Sequence, residues 1–372
     1  MVDNLRPTVA EIDLNALTFN LKEISRKVSP AKIMAVVKAD AYGHGAIPVA
    51  KHALKHGAEY LGVAIVEEGI ELRKAGIRAP ILVFGGAMED QLRLFVEYHL
   101  TPTIYTRNCA EFLSMIGQNL NKKISVHIKI DTGMGRVGVP YGDAVEFIEF
   151  AQNLPGIEIE GVYTHFATSD EKDKGYALSQ FAKFEAILRS LNDKGIKIAL
   201  RHCANSGAIL DLPHTYLDLV RPGVMMYGYY PSDETSESVP IQPLMTLKTR
   251  VLFIKKVPEN TSLSYGRKFI TKKPTRIATL PVGYADGYNR LLTNKAHVTI
   301  RGKKFPVVGR VCMDLILVDL GNDDQIEMGD EVILFGSGEN DFSVKDYCKI
   351  VDTIPYEVTC WVSKRVPRVY KH

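Results

Sequence analysis

Over the first two-thirds of the chain, short apolar runs rich in β-branched residues alternate with longer stretches of helical periodicity. The runs fall at 32–37, 60–65, 81–84, 102–105, 124–130, 157–164, 197–203 and 215–220. Stretches such as 67–75 and 177–190 lie between them, and several end near a glycine (Gly57, Gly76, Gly195), the usual C-terminal stop signal. About eight βα units in roughly 220 residues predict a parallel sheet closed into a (β/α)8 barrel, ahead of a doubly wound sheet. Segment 14–27, entered through Asp13 as N-cap, reads as a leading helix.

The pattern changes at 231–243, where PSDETSESVPIQP has no periodicity and reads as a linker. Beyond it, short alternating runs at 244–257, 276–282, 296–300, 305–311, 315–319 and 331–335 predict a mostly-β second domain. The expected division is a barrel over 1–240 and a β-rich domain over 241–372, with the first ten or so residues able to pack with the latter.

Composition narrows the class. The 372 residues are 46% hydrophobic and 24% charged, enough for a sizeable core. A net charge of +3 gives no case for nucleic acid or a membrane surface, and no apolar run approaches a membrane span. The opening MVDNLRPTVAEID has no apolar stretch of the secretory kind. Five scattered cysteines fit reduced thiols in a cytoplasm and argue against a disulfide scaffold or a zinc site.

A barrel carries its chemistry just after the C-terminal ends of its strands. Lys38 closes the first strand, Lys129 the fifth and His165 the sixth; Asn205 and Ser206 follow the seventh, and Arg221-Pro222-Gly223 the eighth. A lysine closing an apolar strand either snorkels to the rim or serves as a Schiff-base amine. Ser206-Gly207 and Gly223 lie where barrels bind phosphate through backbone N–H groups, although NSG or RPG alone is often just a turn. Together they describe a ligand with a carbonyl at one end and a phosphate at the other, the shape of pyridoxal phosphate.

The chain resembles the alanine racemase family, barrel-fold enzymes that use pyridoxal 5'-phosphate, over essentially its whole length. The matching segments are AVVKADAYGHG (35–45), HIKIDTGMGRVG (127–138), THFATSD (164–170), HCANSGA (202–208) and RPGVMMYG (221–228) in the barrel. In the second domain they are SYGRKF (264–269), LPVGYADGYNR (280–290), VVGRVCMD (307–314) and IPYEV (354–358). The resemblance implies interconversion of L- and D-alanine in a homodimer with shared sites, Lys38 acting on one face of Cα and Tyr265 of the partner subunit on the other. It gives His165 and Arg221 the task of helping Tyr265 ionise, and sets Arg221 against the cofactor's pyridine nitrogen. Tyr42, Asn205, Ser206, Gly223, Val224 and Tyr356 match cofactor-binding positions. Arg136 matches a contact to the cofactor's phenolic oxygen and the substrate carboxylate, and Met313 a partner-subunit residue at that carboxylate. Lys129 matches a position that carries a carbamate in many members, and Tyr284, Asp286, Arg290 and Asp314 match the access corridor. No metal is implied.

Other residues carry a plain reading. His44 is structural, and His52 and His56 lie on a basic helix face with no metal role expected. Cys203 and Cys312 flank site motifs without a thiolate role. Asp40 stands where many members have Asn, and Leu315 where many have Gln. Serine or broad-specificity racemases share the fold; a decarboxylase would want an acid in place of Arg221. A non-catalytic cofactor carrier would resemble the barrel half alone, and a ligand-free scaffold would leave the strand-end cluster unexplained.

Overall fold

A computed structural model of the chain describes residues 6–372. Its contacts divide into two compact units. One holds Leu17–Ala41 and Gly45–Gln242; the other holds the described residues up to Ala16, Tyr42–His44 and Pro243–His372.

The first unit is a nearly closed barrel of eight parallel strands: Lys32–Val36, Tyr60–Val63, Ile81–Val83, Thr101–Ile104, Ile124–Asp131, Ile157–Tyr163, Leu200–His202 and Leu219–Val220. Each falls within or beside a predicted run, because strands covered by helices outside and side chains inside are apolar throughout. The last strand pairs with the first. The seam between the seventh and eighth has no ladder. It is joined by backbone bonds from Asp218 to Arg201 (3.1 Å) and from Arg221 to Ala204 (2.9 Å), and by the Asp218 carboxylate on the Arg201 backbone and guanidinium. The leading helix, Leu14–Val28, is capped by Asp13, whose Oδ1 accepts from Asn15 and Ala16 N–H. Gly57, Gly76 and Gly195 all take positive φ at helix ends.

The second unit is built on a nine-stranded sheet. The predicted run 244–257 is two strands, Met245–Arg250 and Phe253–Val257. The first pairs with Glu331–Phe335 and the second with Thr275–Leu280, so the chain changes partner at Val251-Leu252. Val9–Asp13 lies in this sheet between Met245–Arg250 and Arg368–Lys371; the first five residues fall outside the described part. Two helices the alternation did not announce, Val344–Val351 and Pro355–Trp361, complete the unit. Among the described residues, no helix is long and apolar enough to cross a membrane.

Candidate active site

At the barrel mouth the first strand gives way to an unusual turn. Ala39, Asp40, Ala41 and Tyr42 all have φ of 52–54°, one turn of left-handed helix without a glycine. Such residues cost roughly 1–2 kcal/mol each, so surrounding bonds must impose the turn. The Glu68 carboxylate accepts from Ala39 N–H at 2.6 Å, and Asp40 Oδ1 accepts from Ala46 N–H at 2.7 Å, at the start of the next helix. An asparagine Oδ1 would accept the same bond, so Asp40 is a mild departure from the family. Lys38, half-buried, opens this turn.

Four cations share the mouth: Lys38, Lys129, Arg136 and Arg221. Lys129 is 3% exposed, and its ammonium lies 5.8 Å from the centre of the Tyr163 ring. Burial, then the charges of Arg136 and Arg221, push its amine down to about 8; Asp131 opposes this. The Asp131 carboxylate also accepts from Gly133 and Gly135 N–H and so shapes the loop that presents Arg136. Arg221 is buried beside Tyr163, with Nη1 donating to His202 Nδ1 (2.7 Å). Its Nη2 donates to the carbonyls of Thr164 (2.8 Å) and Cys203 (3.1 Å) and to His165 Nδ1 (3.2 Å). Among the described residues none accepts from its Nε. Because a guanidinium only donates, His165 Nδ1 must accept, and the neutral ring carries its proton on Nε2. Burial first, then Arg221, hold His165 well below the usual imidazole range, so it is neutral at pH 7.

Across the barrel seam, Ser206 Oγ accepts from Gly223 N–H (3.0 Å) and Met225 N–H (3.5 Å). Asn205 caps the short helix Ser206–Asp211 through Ala208 N–H and accepts from Ser169 Oγ at 2.7 Å. Val224 begins the next helical turn. This is a small, polar cradle of backbone and hydroxyl groups beside four cations. Its groups suit a phosphate, and Arg221 keeps an Nε–H with no acceptor among the described residues.

In the second unit the Tyr42 and Tyr356 rings lie 5.8 Å apart, and His44 is buried with Nδ1 at 2.9 Å from the Tyr42 carbonyl. A separate cavity of about 590 Å³ is lined by Tyr265, Tyr284, Arg290, Arg310, Met313 and Asp314, among others. Tyr265 is 72% exposed, an uncommon place for a phenol ring, on a turn where Ser264 takes φ 61°. A Cβ on Gly283 would meet the Met313 carbonyl oxygen at 2.2 Å. That close approach lets Tyr284 and Ala285 N–H bond the carbonyls of Cys312 and Met313. Asp286 is placed otherwise than a corridor lining: it is fully buried beneath this turn. Its Oδ1 takes Arg6 (2.6 Å) and Arg365 (3.2 Å), its Oδ2 takes Gly283 N–H, and Arg365 continues to Asp314 (2.8 Å).

Sequence reasoning missed the histidines behind Arg221. His127 and His202 face into the barrel, and the only signal was a histidine at an inward position of ISVHIKI. His52 and His56, by contrast, stack on each other with ring centroids 4.2 Å apart, His52 Nε2 lying 2.7 Å from Thr18 Oγ1.

Known proteins resemble this chain over its whole length. Residues 12–231 match the family described as alanine racemase, N-terminal domain, and residues 244–370 alanine racemase, C-terminal domain. Alanine racemase 2 of Caldanaerobacter subterraneus subsp. tengcongensis is 50% identical over 373 aligned positions, covering 100% of this chain and 96% of that protein. The alanine racemase structure from Clostridium difficile 630 superposes with a TM-score of 0.95 at 42% identity, over 99% of this chain and 97% of that one. That of Bartonella henselae, solved with covalently bound pyridoxal phosphate, gives 0.88 at 28% identity, over 98% and 99%. The chain therefore belongs to the alanine racemase family, whose enzymes depend on pyridoxal phosphate.

Proposed function

We propose that this chain interconverts L- and D-alanine by moving a proton on and off Cα from opposite faces, with Lys38 on one face and Tyr265 of the partner subunit on the other. The observation that carries this reading is the strand-end cluster at the barrel mouth: a lysine on a held turn, a buried donor-only guanidinium and a hydroxyl-lined phosphate cradle. Lys38, Tyr42, Arg136, Asn205, Ser206, Arg221, Gly223, Val224 and Tyr356 would hold pyridoxal phosphate. When bound, that cofactor supplies the electron-withdrawing ring that makes the substrate's Cα–H acidic.

The chain's own groups do the rest. The Lys38 amine takes the proton from Cα or returns it. Arg136 and the partner subunit's Met313 orient the substrate carboxylate. His165, neutral with Nε2–H outward, donates to the partner's phenol oxygen and so favours the ionised form of a group that ordinarily ionises near ~10. Arg221 backs His165 with a proton it does not surrender. Tyr284, Arg290 and Asp314 line the way in, and the exposure of Tyr265 fits a group whose place is in another subunit's mouth. Purified protein given a panel of L-amino acids and followed by chiral chromatography should convert alanine fastest. Faster turnover of serine or a larger residue would move the assignment to a broad-specificity racemase.

Arg221→Glu puts an acid where a donor-only cation stood, so the ring nitrogen can be protonated. Racemisation should slow by about 10²-fold or more and transamination products should rise. An unchanged product ratio would remove Arg221 from the ring nitrogen. Lys129, with its amine held at about 8, has a neutral fraction able to add carbon dioxide, giving a carbamate and releasing a proton. The anion would turn repulsion from Arg136 and Arg221 into attraction. With carbon-13 bicarbonate and fixed dissolved carbon dioxide, a carbamate NMR signal should grow as pH rises towards that value. Lys129→Ala should lack the signal; a wild-type spectrum without it would contradict the assignment.

A further inference from the structure

A hydrogen-bonded chain leads from Arg221 down the barrel interior. Arg221 Nη1 meets His202 Nδ1 at 2.7 Å, and His202 Nε2 meets His127 Nδ1 at 2.9 Å. His127 Nε2 faces Glu160 Oε2 at 3.5 Å, and Tyr60 OH donates to Glu160 Oε1 at 3.2 Å. The chain begins at the strand ends that carry the site and finishes near the opposite end of the barrel, since Tyr60 opens its strand. Both histidines are buried, and the Tyr163 ring stacks on His202 with centroids 4.7 Å apart. Two irregularities make room for it. The fifth and sixth strands shift register between Val126 and His127, so His127 opposes Gly161 and Glu160 is the extra residue. A Cβ on Gly161 would lie 2.6 Å from the His127 ring, so only glycine admits that ring.

The direction of every bond follows from one fact: a guanidinium has no acceptor. His202 Nδ1 therefore holds a lone pair, and its proton is on Nε2. That proton points at His127 Nδ1, which must also hold a lone pair, so His127 carries its proton on Nε2, facing Glu160. A protonated His127 would present N–H to His202 Nε2, and His202 would then need lone pairs on both nitrogens. The contact to Glu160 is thus a neutral ring donating to a carboxylate. We propose that His127 and Glu160 are positioning residues: through His202 they fix the orientation of Arg221 and keep the ring pair behind it uncharged. Their effect on turnover rests on the reading of Arg221 given above.

Nitrogen-15 NMR of the holoenzyme labelled at histidine tests the chain without any turnover. His202 and His127 should both show protonated Nε2 and unprotonated Nδ1. An imidazolium or an Nδ1–H form at either ring would overturn the proposal. Glu160→Leu removes the terminal acceptor; His127 should then lose its single form and kcat for alanine should fall about tenfold with KM little changed. Glu160→Gln, which keeps an acceptor oxygen, should restore both. If Arg221→Glu cripples the enzyme while Glu160→Leu leaves kcat intact, the proposal fails and the reading of Arg221 stands. If neither alters kcat or product ratio, the reading of Arg221 has failed and the proposal with it. Should Glu160→Leu not fold, the wild-type spectrum and Glu160→Gln still decide.

Discussion

Lys38→Ala should bind no cofactor covalently and should lose racemisation to background in both directions. The mouth holds two lysines, Lys129 buried and Lys38 half-buried. Lys129 is also partly neutral near pH 8, so it is the one rival amine within the cluster. Lys38, however, stands on the turn held by Glu68 and Asp40, at the strand end from which the cofactor's aldehyde would be reached. Removing it takes away both the attachment point and one of two bases, and the remaining base cannot deliver a proton to the face it does not see. Borohydride treatment of the wild type, followed by peptide mapping, should place the cofactor label on Lys38. A label on Lys129, or on any other lysine, would overturn the assignment. The folded stability of the variant should be close to wild type, because Lys38 is only half-buried.

Tyr265→Phe should keep cofactor attachment and the fold while reducing turnover by about 10²–10⁴-fold, the range lost with a positioned general acid or base. The ring is 72% exposed, so loss of its hydroxyl costs the subunit little stability. L- and D-alanine have equal free energy, so the equilibrium constant is unity. Loss of either base must therefore lower kcat/KM equally in both directions. The face on which the base is missing shows up elsewhere, in which enantiomer still exchanges its α-hydrogen with deuterated solvent. Lys38 alone should still exchange the α-hydrogen of the enantiomer it faces. Exchange of both enantiomers at wild-type rates would remove Tyr265 from the chemistry.

Much of this was legible in the amino-acid order. Strands buried on both faces leave apolar runs, and the residues following them gather together because the barrel puts one end of every strand at one mouth. What stayed hidden depends on contacts distant in sequence. The left-handed turn Ala39–Tyr42 has no glycine to announce it and is imposed by Glu68, which is 29 residues from Ala39, and by the Asp40 cap on Ala46. The pairing of His127 with His202 spans 75 residues and needs a register shift between two strands. The family resemblance implied a corridor role for Asp286, in YADGYNR. Burial under Arg6 and Arg365, brought from opposite ends of the chain, makes it a brace for that turn instead. The run 244–257 hid a change of sheet partner, which alternation alone does not mark.

The shared site is tested most directly by mixing subunits. Lys38→Ala and Tyr265→Phe chains, each nearly inactive, are dissociated together and allowed to reassociate. In a heterodimer one mouth combines the altered lysine with the altered tyrosine, and the other combines native Lys38 with native Tyr265 of the partner subunit. Random reassociation of equal amounts makes half the dimers mixed, so the mixture should recover about one quarter of wild-type activity. A heterodimer verified by native mass measurement that remains as inactive as its parents would contradict the account, because it would mean that each mouth draws both bases from a single chain.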